Sequence, residues 1–214
     1  MDNPNRFKIY SKYNNLIALN ILPGHFATSS SHINYYIDMT CLKARRNEAK
    51  AAAKALVQVY VTATIIDAIV CLEGTDIIGA YLADELTSAG IMSANMHNTV
   101  YILTPEQTSG GQLLFRDNYL PMIKGKNVLV LLSTATTGKT INSALDCIEY
   151  YGGKIAGVSA IFSAAKEIHG HAINSIFTTD DIPNYLTYPA HECPMCKSGH
   201  PLTAIVNSFG YSKL

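Results

Sequence analysis

The chain contains no tryptophan and carries no net charge, sixteen Lys and Arg balancing sixteen Asp and Glu. Its basic residues form no long run, and Arg45, Arg46 and Lys50 read as a solvated helix face. Without net charge or a basic run there is no electrostatic footprint for nucleic acid or for an anionic membrane surface. The first fifteen residues, MDNPNRFKIYSKYNN, lack the basic segment and apolar core of a secretory signal. No apolar run approaches the roughly 18 to 20 residues that span a bilayer. These absences lead us to expect a soluble, cytoplasmic protein. A disulfide framework is missing too: of five cysteines, Cys41, Cys71 and Cys147 are scattered and only Cys193 and Cys196 are close, as one C-x-x-C. That usage fits a reducing compartment. There is no internal repeat of solenoid type and no low-complexity linker.

Present in their place are 48% hydrophobic and only 15% charged residues over 214 positions, enough to bury a large core. One stretch organises the rest, Asn127 to Ile141, NVLVLLSTATTGKTI. A continuous run of β-type residues from Val128 to Leu132 reads as a buried parallel strand, and INSALDCIEYYGG has the pattern of a helix stopped by a Gly pair. Between them, Ser133 to Lys139 is built of Ser, Thr, Ala and Gly. Backbone N–H groups and hydroxyls of such a loop can converge at a helix start, where the dipole favours an anion. The loop reads as a phosphate cradle.

The same unit occurs earlier, as a strand from Ile65 to Leu72, a turn at Glu73-Gly74-Thr75, and a helix from about Asp76 to Ala89 closed by Gly90. Two strand–loop–helix units predict an α/β fold with a parallel sheet and crossover helices. Around them, residues 6 to 22 show helical periodicity, Tyr35 to Met39 a strand, and residues 43 to 60 strong helix formers. A strand at Thr99 to Leu103 leads to a polar, Gly-containing segment expected to be a mobile loop. Lys154 to Phe162 reads as a strand, AKEIHGHAI as a short helix and NSIFTTDDI as a last strand. The expected organisation is a single domain over 1–214, with an N-terminal hood at 1–40 and a Cys/His tail at 190–214.

Some chemistry lies outside these units. In the tail, HECPMCKSGH, the residues His191, Cys193, Cys196 and His200 are four potential zinc ligands within ten positions. A structural zinc site usually takes its second ligand pair from farther away, and His191 is so close to Cys193 that joint ligation would be strained. An ordinary reduced tail is the other reading. His25 and His32 flank the hydroxyl-rich loop and could approach a base or phosphate, although a loop His is more often solvated. Asp67, inside a strand, reads as a paired structural carboxylate. A P-loop is disfavoured, since Ser133 stands where that motif needs its first Gly and the following strand offers no acidic residue for a metal.

The cradle resembles the phosphoribosyl diphosphate (PRPP) loop of type I phosphoribosyltransferases, an apolar strand, two acidic residues, two small or apolar ones, then T-T-G-x-[ST]. Thr136, Thr137, Gly138, Lys139 and Thr140 match its second half. GHFATSSSHINYYIDM is similar to the early signature of orotate phosphoribosyltransferase, carried by Gly24, Phe26, Ser30, Tyr35, Tyr36 and Asp38. The resemblance implies a Rossmann-like parallel sheet under a small hood and a homodimer. It also implies transfer of ribose 5-phosphate from PRPP to a pyrimidine-type base, with Mg²⁺ and loss of diphosphate. By position, Ser133, Thr134, Ala135, Thr136, Thr137, Gly138, Lys139 and Thr140 would bind the 5-phosphate, and Glu73, Gly74 and Thr75 the diphosphate. Phe26, Ser30, Tyr35 and Tyr36 would lie on the base side.

Three departures from the family pattern stand beside the likeness. The acidic pair used around the ribose hydroxyls would fall at Leu132 and Ser133. The stretch from Leu103 to Gly111 holds no Lys, Arg or His, and Ser31 replaces a Gly. They leave open an alternative, a PRPP- or nucleotide-binding regulatory protein of the same fold that has lost turnover.

Overall fold

The computed structural model describes residues 6–88, 93–96, 99–136 and 138–214. The expected helix end at Ala89 and Gly90, and Thr137 of the cradle, lie outside the described residues. Strands β1 (Phe7–Tyr10), β2 (Ala18–Ala27) and β3 (His32–Asp38) come first, then helices α1 (Thr40–Ala44) and α2 (Arg46–Val57). The central unit follows as β4 (Ala68–Cys71), α3 (Asp76–Ser88) and β5 (Tyr101–Leu103), then a small hairpin of β6 (Glu106–Gln107) and β7 (Leu113–Leu114). Next come β8 (Asn127–Ala135), α4 (Lys139–Tyr150), β9 (Lys154–Ser163), β10 (Glu167–Ile168) and β11 (His171–Thr178). The chain closes with β12 (Thr187–Tyr188), α5 (Pro194–Lys197), β13 (Ala204–Asn207) and β14 (Gly210–Lys213).

One sheet has the order β10-β11-β9-β8-β4-β5, with every neighbouring pair parallel except β10 with β11. Its strands are buried on both faces because their side chains alternate between two cores. In β8, Leu129 and Leu131 join α2 and α3 in one core, and Val128, Val130 and Leu132 join α4 in the other. The α/β class and the parallel sheet with crossover helices are therefore as the strand–loop–helix pattern predicts. Asp67 is paired as expected, its Oδ2 accepting from the Asn127 backbone N–H and side-chain amide at 2.8 and 2.9 Å.

The chain ends differ from the sequence expectation. Residues 6 to 22 form strands β1 and β2, not a helix, because the hood is a sheet of order β12-β3-β2-β13-β14 with β1 pairing β2. Pairing along that sheet satisfies the backbone and overrides the apparent helical period. AKEIHGHAI is a hairpin of β10 and β11, turned by His169 (φ 50°) and Gly170 (φ 77°), both in the left-handed region that two-residue hairpin turns need. The strand expected at NSIFTTDDI ends at Thr178, breaks into a 3₁₀ turn at Thr179–Asp181, and is not the last. The C-terminal segment returns as β13, parallel to β2 and paired through Ala204 with Phe26. It completes the hood sheet across almost the whole length of the sequence.

Leu131 is fully buried at the centre of β8. Leu131→Ala should lower the free energy of unfolding by about 2–5 kcal/mol, seen as an earlier urea midpoint at unchanged slope.

Candidate active site

β4 and β8 are adjacent and parallel, with Cys71 opposite Leu131, so the turns that follow them leave the sheet at one edge. From β4 the chain moves outward to β5, then returns to the other side of β4 as β8. That reversal makes a crevice at the carboxyl ends of the strands, the place where open α/β sheets bind ligands. A cavity of about 590 Å³ opens there.

The cradle contributes Ser133, Thr134, Ala135, Thr136, Gly138, Lys139 and Thr140 to its lining. Gly138 precedes α4 with φ 75°, and an added Cβ would come within 3.1 Å of Ile168. Glycine is needed there for backbone conformation and for space. Having no side chain, Gly138 leaves the first-turn N–H groups of α4 without a cap of its own, as suits an anion site.

From the other side come Glu73 and Gly74, both left-handed at φ 59° and 74°. Thr75, placed by sequence with the diphosphate contacts, instead turns inward. It is fully buried and its Oγ1 donates to the carbonyls of Leu72 (2.9 Å) and Leu131 (3.1 Å), so it braces the turn against β8. The Glu73 carboxylate crosses to the cradle, where Oε2 accepts from Ser133 Oγ at 2.5 Å and from the Thr134 N–H at 3.0 Å. A carboxylate thus stands at positions 133 and 134, supplied by the neighbouring turn.

Two residues that sequence reasoning missed complete the electrostatics. Lys43 Nζ donates to the carbonyls of Glu73 (2.8 Å) and Ser208 (2.6 Å), tying the turn to the loop between β13 and β14. Burial lowers the pKa of its ammonium, while the charges of Glu73 and Asp38 oppose that shift. Asp76, at the start of α3, also lines the cavity and accepts a hydrogen bond from Thr104 Oγ1. No sequence signal marks Lys43, since α1 approaches the turn only after folding. Arg116, by contrast, is engaged outside the cavity lining, its guanidinium paired in two-pronged fashion with Glu106 at 2.6–3.1 Å.

The base-side candidates divide. Ser30 and Tyr36 line the cavity, whereas Phe26 is buried in the hood core and Tyr35 lies edge-on to Phe7 on the opposite face of β3. Alternation along the strand explains why only one of two adjacent tyrosines reaches the site. Burial, then Asp38 and Tyr211, push the Tyr36 phenol up to about 12, so it remains a neutral donor at ordinary pH. The segment expected to be a mobile loop folds as the β6–β7 hairpin and brings Thr104, Pro105, Gln107 and Leu113 to the rim.

His25 and His32 do not face this cavity. His25 is 4% exposed, and both rings turn toward Cys193 and Cys196. The expected partners of those cysteines are elsewhere. His191 is largely exposed and pairs with Glu192, and His200 Nδ1 meets the Ser198 hydroxyl.

This architecture is that of the type I phosphoribosyltransferases. The structure matches orotate phosphoribosyltransferase of Mycobacterium tuberculosis H37Rv with a TM-score of 0.55 at 14% identity, over 77% of this chain and 93% of that one. For the enzyme of Aeropyrum pernix the TM-score is 0.52 at 18% identity, over 85% and 93%. In sequence, the orotate phosphoribosyltransferase of Sulfurimonas denitrificans is 31% identical over 197 residues, 84% of this chain and 89% of that protein. That of Thermus thermophilus is 23% identical over 188 residues, 86% and 93%. A match to the Caldanaerobacter subterraneus protein, 35% over 81 residues, spans 40% of that relative. No protein-family model matches the chain. The chain belongs to the orotate phosphoribosyltransferase family.

Because Lys43 holds two carbonyls from distant segments, Lys43→Met should speed amide exchange at residues 72–75 and 207–210 and leave β8 unchanged. Hydrogen exchange read by mass spectrometry checks this, and equal rates in both proteins would remove the proposed anchoring.

Proposed function

We propose that this chain transfers ribose 5-phosphate from PRPP to a ring nitrogen of an orotate-like pyrimidine and releases diphosphate. The observation that carries the reading is the meeting of the β8–α4 junction, Ser133–Thr140, and the Glu73-Gly74 turn in one cavity at the reversal of strand order. In the reaction the bond from ribose C1 to the diphosphate oxygen breaks and its electrons leave with diphosphate, while the base nitrogen bonds to C1 and gives up its proton to solvent. Such chemistry asks the protein for positioning and charge stabilisation rather than a nucleophile.

The cradle hydroxyls and N–H groups that Glu73 does not engage hold the 5-phosphate at the start of α4, and Thr137 belongs to the same stretch of sequence. Gly74 lets the diphosphate approach the backbone, and a Cβ there would sit 3.8 Å from Lys43 Nζ. Lys43 has three N–H donors and spends two on carbonyls, so one is left to meet the leaving group. This cation takes the part that basic residues in the 103–111 segment would otherwise play. Lys139 adds a second positive charge at the cradle.

The Glu73 carboxylate supplies, from a turn, the negative charge that the family pattern places at 132 and 133, and so favours retained turnover. Mg²⁺ binds through one or two carboxylates together with substrate oxygens. Glu73 and Asp76 line the cavity and form a donor set of that kind. When bound, the ion neutralises charge on the diphosphate. Ser30 and Tyr36 meet the base. The same proposal includes a homodimer and a cytoplasmic setting, which five cysteines without a disulfide suit. Among the described residues no helix is long and apolar enough to cross a membrane.

The second reading, a PRPP or nucleotide binder without turnover, is motivated by Leu132 and Ser133 in place of the acidic pair and by the lack of Lys, Arg and His from Leu103 to Gly111. Two measurements decide. Orotate-dependent diphosphate release supports transfer, and PRPP binding without diphosphate release in the presence of any pyrimidine supports the binder. Thr140→Asp puts a carboxylate where the phosphate sits, at a helix start that tolerates it. At close range that repulsion should weaken PRPP binding by at least about 10²-fold, read by titration calorimetry with Mg²⁺ present. Unchanged affinity would place the phosphate elsewhere.

A further inference from the structure

The hood carries a second cluster of chemistry-bearing side chains, distinct from the cavity lining. His25 Nε2, His32 Nδ1, Cys193 Sγ and Cys196 Sγ all lie within 4.8 Å of one another. We infer that these four residues form a structural zinc site that clamps the C-terminal segment onto the β2–β3 hairpin.

The distances carry the inference. Zinc bonds sulfur at about 2.3 Å and imidazole nitrogen at about 2.0 Å, so a tetrahedron of two of each has N–N edges near 3.3 Å and S–N edges near 3.5 Å. Here His25 Nε2 and His32 Nδ1 are 3.1 Å apart. Cys193 Sγ lies 3.5 Å and Cys196 Sγ 3.6 Å from His25 Nε2, and Cys196 Sγ lies 3.3 Å from His32 Nδ1. These four separations are those of ligands around one small tetrahedral ion. Two thiolates with two imidazoles in that geometry suit zinc among the common metals.

The surroundings orient the ligands. His25 Nδ1 is 3.0 Å from the carbonyl of His200, which can only accept, so the proton is on Nδ1 and the Nε2 lone pair faces the cluster. The His25 backbone is itself fixed, donating to Thr203 Oγ1 at 3.1 Å and accepting from the Thr203 N–H at 2.6 Å. A β-bulge delivers that side chain. Between the pairs Pro23 with Tyr35 and Phe26 with Ile33, two residues of β2 face one of β3. The extra residue resets the alternation and leaves His25 and Phe26, neighbours in sequence, both buried. On the other side, Cys193 immediately precedes α5, whose first residue is Pro194, and Cys196 lies one turn on. Cys193 is fully buried, while Cys196 is exposed and leaves a way in for the ion.

The clamp has a consequence for the cavity. After α5 the chain runs into β13 beside β2, and the turn after it brings Asn207, Ser208 and Phe209 to the lining. Closing a loop of some 160 residues by metal ligation restricts the unfolded chain and holds the hood shut.

The test uses the full chain purified without chelator, with zinc counted per chain and Co²⁺ exchanged in. About one zinc per chain, and the visible bands of tetrahedral thiolate-bound Co²⁺, are expected. Cys196→Ser and His32→Ala should each cut zinc to below about a tenth per chain, whereas His191→Ala should retain it. Removal of the metal should lower the thermal midpoint of the wild type, and added Zn²⁺ should restore it. Wild-type protein without zinc that also fails to take up Co²⁺ overturns the site and leaves a hydrogen-bonded thiol–imidazole cluster. Full zinc in Cys196→Ser, or its loss in His191→Ala, overturns the ligand assignment.

Discussion

The structure depends on one pairing, the parallel ladder between β4 and β8. Buried on both faces, these strands can satisfy their backbone groups only through each other and their outer neighbours, and the register Ala68 to Cys71 against Val128 to Leu131 leaves no slack. Parallel pairing forces both following turns to the same edge of the sheet. Thr75 strengthens the constraint, since its hydroxyl bridges the β4 turn to the β8 carbonyl of Leu131. Everything chemical at the cavity follows from that shared edge.

Electrostatics at the edge is balanced by residues from several elements. Glu73 reaches the cradle, Lys43 holds the Glu73 carbonyl, and Ser208 receives the same ammonium from the far end of the chain. The charges at this edge come from separate elements, the carboxylate from the turn after β4 and the cation from α1.

The hood is a different kind of construction. Its sheet is assembled from the first and last segments of the chain, and its small core of Leu22, Phe26, Ile33, Tyr36, Ala204 and Val206 is modest beside the two main cores. Small sheets with little apolar area gain most from cross-links. The cysteine and histidine cluster joins those segments at the point where they meet.

By itself the sequence determined the two strand–loop–helix units, the small-residue connection from β8 to α4, the Glu73-Gly74 turn and the family likeness, although β8 runs on to Ala135 where a loop from Ser133 was expected. These are local signals: continuous apolar runs, small-residue loops and a glycine that a left-handed backbone requires at Gly138. Residues 6 to 22 read as a helix because their apolar spacing fits both periods, and only the pairing of β2 with β1, β3 and β13 decided between them. Tertiary structure alone turned Thr75 inward, brought Lys43 to the turn and chose Tyr36 over Tyr35. It also replaced His191 and His200 by His25 and His32 beside the cysteines. The reason is physical: local pattern encodes which face of an element is apolar, but partners separated by about 160 residues are chosen by strand register and a β-bulge, which exist only once the sheets have formed.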